Sequence, residues 1–476
     1  MLYGPFPHGG LIRGVSDGNL LLDEHEGVRE LALQRIRQTG AAVVRIPVNW
    51  DDVVIANPAP GFQPRDPASS SYIFTRIDAS VRSTVAAGLT PLLVVSHAPA
   101  FAEAPDRWRY AYPGSWDPNP QALADFAAAL AHRYDGTFPD PLLPARTLPR
   151  VRLFQAWNEP NLARYLEPQW VVQEGRWSAF SPFLYRQLLN GFYAGVKSAQ
   201  PSAVVVAAGV APNGDRAGVG RVAPVTFLDS VLCLTPSGQR IRAGCGEPAH
   251  FDVLAFHPLS VAGPDTPAPS ALDVSIADAA KVTRLLALAR ALHSALPEGA
   301  KRLWVTELNW ESAPQVTWGV PPRLQAAWIS RALHRLWVAG VGLVDWEFLI
   351  DPSSGVLANT PTGGVFNYQR DAGLYTAGAG GSPAAARPKP FLQGFAFPFD
   401  PLRVDSRHVR VWALLPAPGQ RALLQRLSRA GRWATIARLR GDRSGVLNTL
   451  LALGGTATLR LQSGALTSAT SKISPL

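Results

Sequence analysis

Phe154-Gln-Ala-Trp-Asn-Glu-Pro-Asn161 and Leu303-Trp-Val-Thr-Glu-Leu-Asn-Trp310 are the two stretches of this 476-residue chain that decide its fold. Each begins as an apolar run of the β type and then carries a glutamate, Glu159 in the first stretch and Glu307 in the second. Glutamate is unfavourable in a buried strand, so its place at a strand end needs a reason. Two such carboxyl groups predict one site to which both strands deliver a side chain.

Residues 10–395 alternate between strand-like and helix-like segments, and this order predicts a parallel sheet wrapped by helices. Eight strands and eight helices fit the pattern, which is the count of a (β/α)8 barrel, or TIM barrel. The predicted strands are Gly10–Val15, Ala42–Pro47, Thr90–Ser96, Val151–Trp157, Val204–Ala208, Val253–Phe256, Leu303–Thr306 and Gly342–Trp346. In such barrels the active site lies at the C-terminal ends of the strands. The residues at those ends are Asp17, Arg45, His97, Asn158, Glu159, His257, Glu307 and Trp346.

The pattern changes after residue 400, where short alternating runs are separated by Gly, Pro and Asp turns. Runs such as His408–Leu414 and Arg421–Leu427 predict a small antiparallel β-sandwich. We therefore expect two domains, a barrel over residues 1–397 and an accessory β-sandwich over residues 398–476. The accessory domain could be a structural cap on the barrel or a carbohydrate-binding module.

The net charge of +10 belongs to this second domain, because residues 401–476 carry eleven arginines and Lys472 against only Asp405 and Asp442. A basic domain could bind an anionic polymer such as an acidic polysaccharide, although a solvated arginine-rich surface also accounts for the charge. No nucleic-acid-binding motif accompanies it, which argues against a nucleic-acid partner.

Cys233 and Cys245 are the only cysteines and flank a short loop without histidine, so we expect a disulfide rather than a metal site. A disulfide favours an oxidising compartment and hence a secreted protein. Residues 1–10 lack the basic and apolar regions of a signal peptide, so an exported form would have lost that segment. No apolar run reaches the roughly 18 residues that a membrane span needs.

Paired carboxyl groups are typical of enzymes that cleave glycosidic bonds. In the retaining mechanism one carboxylate attacks the anomeric carbon while the other group, as an acid, protonates the leaving oxygen. The acid must be protonated and the nucleophile ionised at the same pH. We expect repulsion from ionised Glu307 to raise the pKa of Glu159, and Arg45 to keep Glu307 charged.

With Glu307 on a later strand, the segment Trp157-Asn-Glu-Pro160 resembles clan A of the glycoside hydrolases and is most similar to families 39 and 5. The resemblance covers most of residues 10–395 and implies a barrel that hydrolyses O-glycosidic bonds with retention of configuration. The long, aromatic loop after strand three favours an oligosaccharide or polysaccharide as the substrate. It implies Glu159 as acid/base, Glu307 as nucleophile and Asn158 as the ligand of the sugar 2-hydroxyl. It further implies that Arg45 positions the nucleophile, and that His97, His257 and Trp346 line the site.

Further residues near the strand ends are candidates for contact with the carbohydrate. Trp50 and Trp310 could stack on sugar rings, and Glu347 could bind hydroxyls; Glu311 and Glu347 are also alternative catalytic carboxyls. Family 5 members usually carry a tyrosine two residues after the histidine of strand six. Leu259 stands there in this chain, which argues against family 5 proper and against a tyrosine contact with the nucleophile from that position.

Two other functions remain open at this point. A transglycosidase would keep every catalytic residue, whereas a non-catalytic carbohydrate-binding barrel would lack one of the two glutamates. The scattered histidines argue against a metal-dependent hydrolase, so no metal site is expected, and no motif calls for a cofactor.

Overall fold

Eight parallel strands close into a barrel in the computed structural model, which describes residues 10–241, 245–314, 316–352, 371–378 and 383–475. Each strand pairs with the next along the chain, and the last pairs with the first. The strands are β1 Ile12–Ser16, β2 Val43–Asn49, β3 Thr90–Ser96, β4 Leu153–Ala156, β5 Val204–Val210, β6 Val253–Phe256, β7 Arg302–Leu308 and β8 Val341–Glu347. The predicted (β/α)8 barrel is confirmed.

A helix follows every strand and packs on the outside of the barrel. The helices are α1 Glu26–Gln38, α2 Thr75–Ala86, α3 Pro120–Arg133, α4 Ser181–Ala199, α5 Pro224–Val231, α6 Ala279–Ala291, α7 Pro322–Val338 and α8 Pro390–Ala396. Five of them, α3, α4, α5, α7 and α8, have a proline in the first turn, where its fixed φ suits a helix and no N–H is needed. Single turns at Gly18–Leu21 and Trp50–Val53 follow β1 and β2.

The strands bury both faces, as their near-continuous apolar sequences require. One set of side chains fills the barrel and forms its own cluster of Val43, Leu92, Val94, Leu153, Val206, Val253, Ala255, Trp304 and Leu343. The alternate set packs outward against the helices. Because the two sets alternate along each strand, the position of a residue within its strand decides whether its side chain faces the barrel axis or the helices.

Left-handed backbone conformations are concentrated at the C-terminal ends of the barrel strands. Five of the nine non-glycine residues with positive φ in the described part of the chain follow β3, β4 or β8 or lie near the end of β5, namely His97 (57°), Trp157 (70°), Glu159 (39°), Ala208 (67°) and Phe348 (71°). Such conformations cost free energy and persist where the surrounding structure holds them, most often at functional sites. The strained backbone conformations therefore lie on the same face of the barrel as the predicted site residues at the strand ends.

The chain after the barrel forms two antiparallel sheets, as the alternating runs predict. Its strands are β9 Phe399–Arg403, β10 His408–Leu414, β11 Arg421–Leu427, β12 Trp433–Arg440, β13 Val446–Ala452, β14 Ala457–Ser463, β15 Leu466–Thr467 and β16 Ser471–Ile473. One sheet has the order β9-β10-β13, and the other has β12-β11-β14 with β15 and β16 on β14. A single apolar cluster, which includes Val411, Leu424 and Leu459, holds this β domain together.

The β domain packs on the second half of α7. His334 on this helix lies with Nδ1 2.6 Å from Asp400 Oδ2, and its ring stacks on Trp412 at 4.8 Å between centroids. Since α7 runs away from the C-terminal ends of the strands, this contact is remote from them. The position fits a structural cap, while the division at residue 398 and contact with an anionic polymer stay predictions.

Cys233 and Cys245 form a disulfide, as predicted, with their Cα atoms 5.8 Å apart. After α6 ends at Ala291, the segment Ala295–Leu296 pairs with Ala249–His250 as a short parallel strand. Among the described residues, no helix has both the length and the apolarity needed to cross a membrane.

Candidate active site

Glu159 and Glu307 meet at the C-terminal end of the barrel, although 148 positions separate them. One carboxylate oxygen of each glutamate and a ring nitrogen of His257 all lie within 4.8 Å of one another. Nδ1 of His257 is 3.1 Å from Glu159 Oε1 and 3.3 Å from Glu307 Oε2. Both glutamates are buried, with 7% and 6% of their surfaces exposed. The two strands thus bring their carboxyl groups to one place, as their sequences predict.

Arg45 on β2 supplies the positive charge next to this pair. Its Nη2 lies 2.8 Å from Glu307 Oε1 and donates to Asn158 Oδ1 at 2.6 Å. A buried arginine inside a strand needs such a partner, because an unpaired buried charge is very costly. Arg45 therefore ties the glutamate of β7 to the residue that precedes Glu159.

Burial raises the pKa of Glu159 to about 7, while the positive charges of Arg45, Arg164 and Arg221 act in the opposite direction. The expected cause was repulsion from Glu307, and that cause was wrong: loss of hydration dominates. A carboxyl group with this pKa is largely protonated in mildly acidic solution. It can therefore donate a proton under conditions in which ordinary glutamates are ionised.

His257 is fully buried, and burial lowers its pKa to about 4, with the Arg45 charge adding to the effect and Glu307 opposing it. The imidazole is thus neutral near pH 7. Its Nε2 lies 2.9 Å from the Thr306 hydroxyl, so we assign Nε2 as the acceptor and Nδ1–H as the donor to the two carboxylates.

The absence of a side chain at Gly209 leaves space for the His257 ring. The φ of Gly209 is +76°, and a Cβ atom there would lie 2.8 Å from His257 Nε2 and 2.7 Å from Gln155 Nε2. Its carbonyl also accepts from the backbone N–H of Glu159 at 3.1 Å. A residue without a side chain is therefore required between Glu159 and His257.

Glu347, at the end of β8, completes the acidic side of the site. Asn309 Nδ2 donates to Glu347 Oε2 at 3.1 Å. Burial and the nearby charge of Glu307 raise the pKa of Glu347 well above its usual range. Asp345, two residues earlier on β8, is buried on the same face below it, and burial likewise raises its pKa. Neither Asn309 nor Asp345 was predicted, yet each stands two positions from a predicted residue, which is the spacing of one strand face.

His97 and Tyr165 border the site on the side of β3 and β4. His97 Nδ1 is 2.8 Å from Ser96 Oγ, and its ring meets the edge of Tyr165 at 5.3 Å between centroids. Burial lowers the pKa of His97 to about 4. The Tyr165 hydroxyl bonds to the Asn158 side chain, and burial together with the charges of Glu159 and Glu307 raises its pKa. Tyr165 is one of several aromatic residues in the loops that follow the strands.

Three predicted tryptophans are almost completely buried, although Trp310 also lines a pocket beside the site. Trp346 is fully buried and points outward, where it packs on Phe391 of α8 at 5.1 Å. Trp50 is 2% exposed and stacks on Phe126 of α3 at 5.3 Å. Trp310, also 2% exposed, packs on Trp328, Trp346 and Phe391.

Asp17 also stands apart from the carboxylate pair: it caps the helical turn after β1 and accepts from the N–H groups of Leu20 and Ile350.

Glu159, His257 and Glu307 are the one group of three metal-ligand side chains within reach of a single ion among the described residues. His257 is the single histidine in this group. The free lone pairs of these side chains are few, however, because Arg45 already bonds Glu307 and the His257 N–H faces both carboxylates. A divalent ion would have to displace these contacts, so the residues present do not suit a metal.

Two carboxyl groups at this separation, one of them with a raised pKa and the other paired with a cation, can act as acid and nucleophile on a bond placed between them. The neutral histidine holds both in position without taking up a proton itself. Asn158 and Glu347 remain next to the pair as hydrogen-bonding groups.

No protein-family model and no curated protein matches the sequence. Among solved structures, a family 39 glycoside hydrolase from Bacteroides cellulosilyticus WH2 is similar to it, with a TM-score of 0.53 and 17% identity over 93% of this chain and 80% of that one. A monomeric beta-xylosidase from Caulobacter crescentus CB15 gives a TM-score of 0.50 and 16% identity over 98% and 96%. A GH5_18 structure from Bifidobacterium longum subsp. infantis gives a TM-score of 0.48 and 13% identity over 81% and 78%.

The structural neighbours are clan A glycoside hydrolases, so the resemblance predicted from Trp157-Asn-Glu-Pro160 is confirmed for the fold. At these identities the likeness concerns the fold, which spans both the barrel and the β domain of this chain.

Proposed function

We propose that the chain is a retaining glycoside hydrolase that cleaves O-glycosidic bonds by double displacement. The observation that carries the proposal is the distance of at most 4.8 Å between carboxylate oxygens of Glu159 and Glu307. Retaining enzymes hold their carboxyl groups roughly 5–5.5 Å apart, and inverting enzymes hold them roughly 6.5–9.5 Å apart to admit a water molecule. The separation supports attack by a carboxylate rather than by water.

Glu307 is the proposed nucleophile and Glu159 the proposed acid/base. The Arg45 guanidinium lies 2.8 Å from Glu307 Oε1, so a positive charge stands next to the proposed nucleophile. Burial favours the protonated form of Glu159, whose pKa is raised to about 7. After the glycosyl-enzyme forms, Glu307 is an uncharged ester, and Glu159, having given its proton to the leaving oxygen, can accept one from water.

The neighbouring side chains are proposed to bind and position. Asn158, held by Arg45 and Tyr165, faces the position of the sugar 2-hydroxyl that the clan A resemblance assigns to it. Glu347 and His97 border the same space and offer further hydrogen bonds to hydroxyls. The substrate partner is accordingly a carbohydrate, and the disulfide supports secretion into an oxidising compartment.

The test is hydrolysis of a panel of aryl glycosides by the wild-type protein, Glu159→Ala and Glu307→Ala, each with and without azide. We expect Glu307→Ala to lose activity by at least about 10⁴-fold, as loss of a nucleophile does. Azide should restore turnover of an activated substrate by Glu159→Ala and give a glycosyl azide of retained configuration, because the small anion needs no general base.

Glu167→Gln is the matched control. Burial raises the pKa of Glu167 to about 7 as well, but this glutamate lies in the loop after β4 with its backbone paired to Ser115. It should keep wild-type kcat. Full activity of both Ala variants would contradict the proposal, and product analysis with added acceptor sugars would show whether transfer to sugar competes with hydrolysis.

A further inference from the structure

A pocket of about 730 Å3 opens on the same face of the barrel as the carboxylate pair. The loops after β5, β6 and β7 form it, with Asn213, Leu259 and Asn309 among the lining residues. Asn309 directly follows β7, two residues after Glu307, and donates to Glu347 Oε2 at 3.1 Å. The pocket therefore adjoins the site, on the side opposite Arg45 and β2.

The lining of this pocket is largely apolar. It is built from Leu259, Val261, Ala262, Pro267, Ala268 and Trp318, together with a few polar groups. Every hydroxyl of a bound sugar needs a hydrogen-bond partner, and the aliphatic side chains in this lining offer none. Its volume falls in the range of roughly 300–1,000 Å3 that is typical of pockets for drug-sized ligands. Both properties suit a bulky apolar group better than a second sugar ring.

One buried carboxyl group interrupts the apolar lining. Glu311 is 8% exposed, and its Oε2 accepts from the backbone N–H of Asp371 at 2.9 Å. Its Oε1 is buried without a hydrogen-bond partner in the described part of the chain. Leaving such an oxygen unpaired costs free energy. Glu311 lines the pocket, so rotation of its carboxyl group toward the pocket would let a donor on a bound ligand recover that free energy.

The polar side chains lie on the other side of the carboxylate pair. Arg45, Asn158 and Tyr165 join one another there by hydrogen bonds and present groups suited to sugar hydroxyls. A molecule that lies across both regions would be polar at one end and apolar at the other. A glycoside of an apolar alcohol or phenol has this character.

We infer that the pocket between the loops after β5, β6 and β7 binds the aglycone, and that the aglycone is a bulky, multi-ring apolar group with one hydroxyl directed at Glu311. The inference rests on the proposed function, because an aglycone has meaning only where a glycosidic bond is cleaved. It makes the substrate the glycoside of a hydrophobic alcohol or phenol instead of a polysaccharide.

The experiment compares kcat/KM for methyl, 2-naphthyl and 6-hydroxy-2-naphthyl glycosides of the sugar that the wild-type protein accepts, and for a disaccharide of that sugar. Val261→Asp places a charge in the pocket at a side chain that is 68% exposed, so folding is not at risk. Val338→Asp is the matched control, because Val338 has the same exposure at the end of α7.

We expect Val261→Asp to lower kcat/KM for both naphthyl glycosides about tenfold or more, as desolvating a carboxylate against an apolar ring requires, with the methyl glycoside unchanged. Val338→Asp should change none of them. Glu311→Gln should reduce the preference for the 6-hydroxy compound over the 2-naphthyl compound about tenfold, since an amide group, which donates, replaces one of the two carboxyl oxygens that could accept from the hydroxyl.

Binding of free 6-hydroxy-2-naphthol to Glu307→Gln, measured by calorimetry, tests the pocket independently of the proposed hydrolysis. Saturable binding that Val261→Asp abolishes supports the pocket even if no glycoside is hydrolysed, in which case the proposed function alone fails. Hydrolysis without naphthol binding, or a disaccharide preferred to the naphthyl glycosides and unaffected by Val261→Asp, overturns the inference and leaves the proposed function intact.

Discussion

Oε1 of Glu159 lies 3.1 Å from Nδ1 of His257, in a space that water scarcely reaches. Burial sets the protonation of both partners: it raises the pKa of the glutamate to about 7 and lowers the pKa of the histidine to about 4. A neutral imidazole therefore faces a carboxyl group that holds its proton over most of the acidic range. Four predictions follow from this site and from the elements that hold it.

The loss of activity at alkaline pH should reflect the ionisation of Glu159. The group acts as an acid when protonated, so kcat/KM should fall as pH rises through about 7, the pKa of this carboxyl group. Arg164 lowers that pKa through its charge. Arg164→Gln should therefore move this alkaline limit to higher pH, whereas Arg107→Gln, whose charge acts on Glu167, should leave it in place. A limit that shifts downward in Arg164→Gln would contradict the assignment.

Removal of the Arg45 charge should cost both activity and stability. Arg45→Met leaves Glu307 without its cation and Asn158 without its donor. We expect kcat to fall about 100-fold or more and the free energy of unfolding to fall by about 3–5 kcal/mol. Arg133→Met is the control, because it breaks a comparably buried pair with Asp78 on the helices. It should lower the midpoint of thermal unfolding similarly with kcat unchanged.

Gly209→Ala should disable the site through His257. The added methyl group would lie 2.8 Å from His257 Nε2, so the imidazole must move away from the carboxylates. We expect a loss of kcat of at least about tenfold, since misplacement by even 1 Å can cost about 100-fold. Gly88→Ala separates this effect from backbone strain, because Gly88 also has positive φ but its Cβ would meet nothing within 4 Å. Equal kcat for the two variants would count against the role given to His257.

Substitutions at the neighbouring residues Trp346 and Glu347 should have different effects on stability and on catalysis. Trp346→Leu removes packing against Phe391 and should lower the free energy of unfolding by about 2–4 kcal/mol without changing KM. Glu347→Gln should raise KM or lower kcat with little change in the melting temperature, because Glu347 lies beside the Glu307 carboxylate. Steady-state kinetics and thermal unfolding of both variants check this, and a KM effect in Trp346→Leu would restore the tryptophan as a sugar contact.

The sequence predicted the barrel because each strand is a short apolar run followed by a helical pattern, and because polar residues gather at the strand ends. Trp346 does not face the site as predicted, because side chains alternate between the two faces of β8. Asp345 and Glu347 face the interior, so Trp346 between them faces α8. A sequence resemblance predicts which part of the fold a residue occupies. It does not predict the face of the strand, because a shift of one position turns the side chain to the opposite face.

Other features of the site depend on contacts that no spacing reveals. The bond of Tyr165 to Asn158 depends on how the loop after β4 folds back. The pairing of Thr306 with His257 joins side chains on neighbouring strands, which become neighbours only in the closed sheet. The cause of the raised pKa of Glu159 is burial, whose extent only the packed structure reveals.

The anomeric configuration of the first product tests the proposed double displacement most directly. An aryl glycoside that the protein cleaves would be followed by proton NMR, with the anomeric signals recorded before mutarotation. With oxygens of Glu159 and Glu307 within 4.8 Å of each other, we predict that the released sugar first appears with the same anomeric configuration as the substrate. A first product of inverted configuration would contradict double displacement through Glu307.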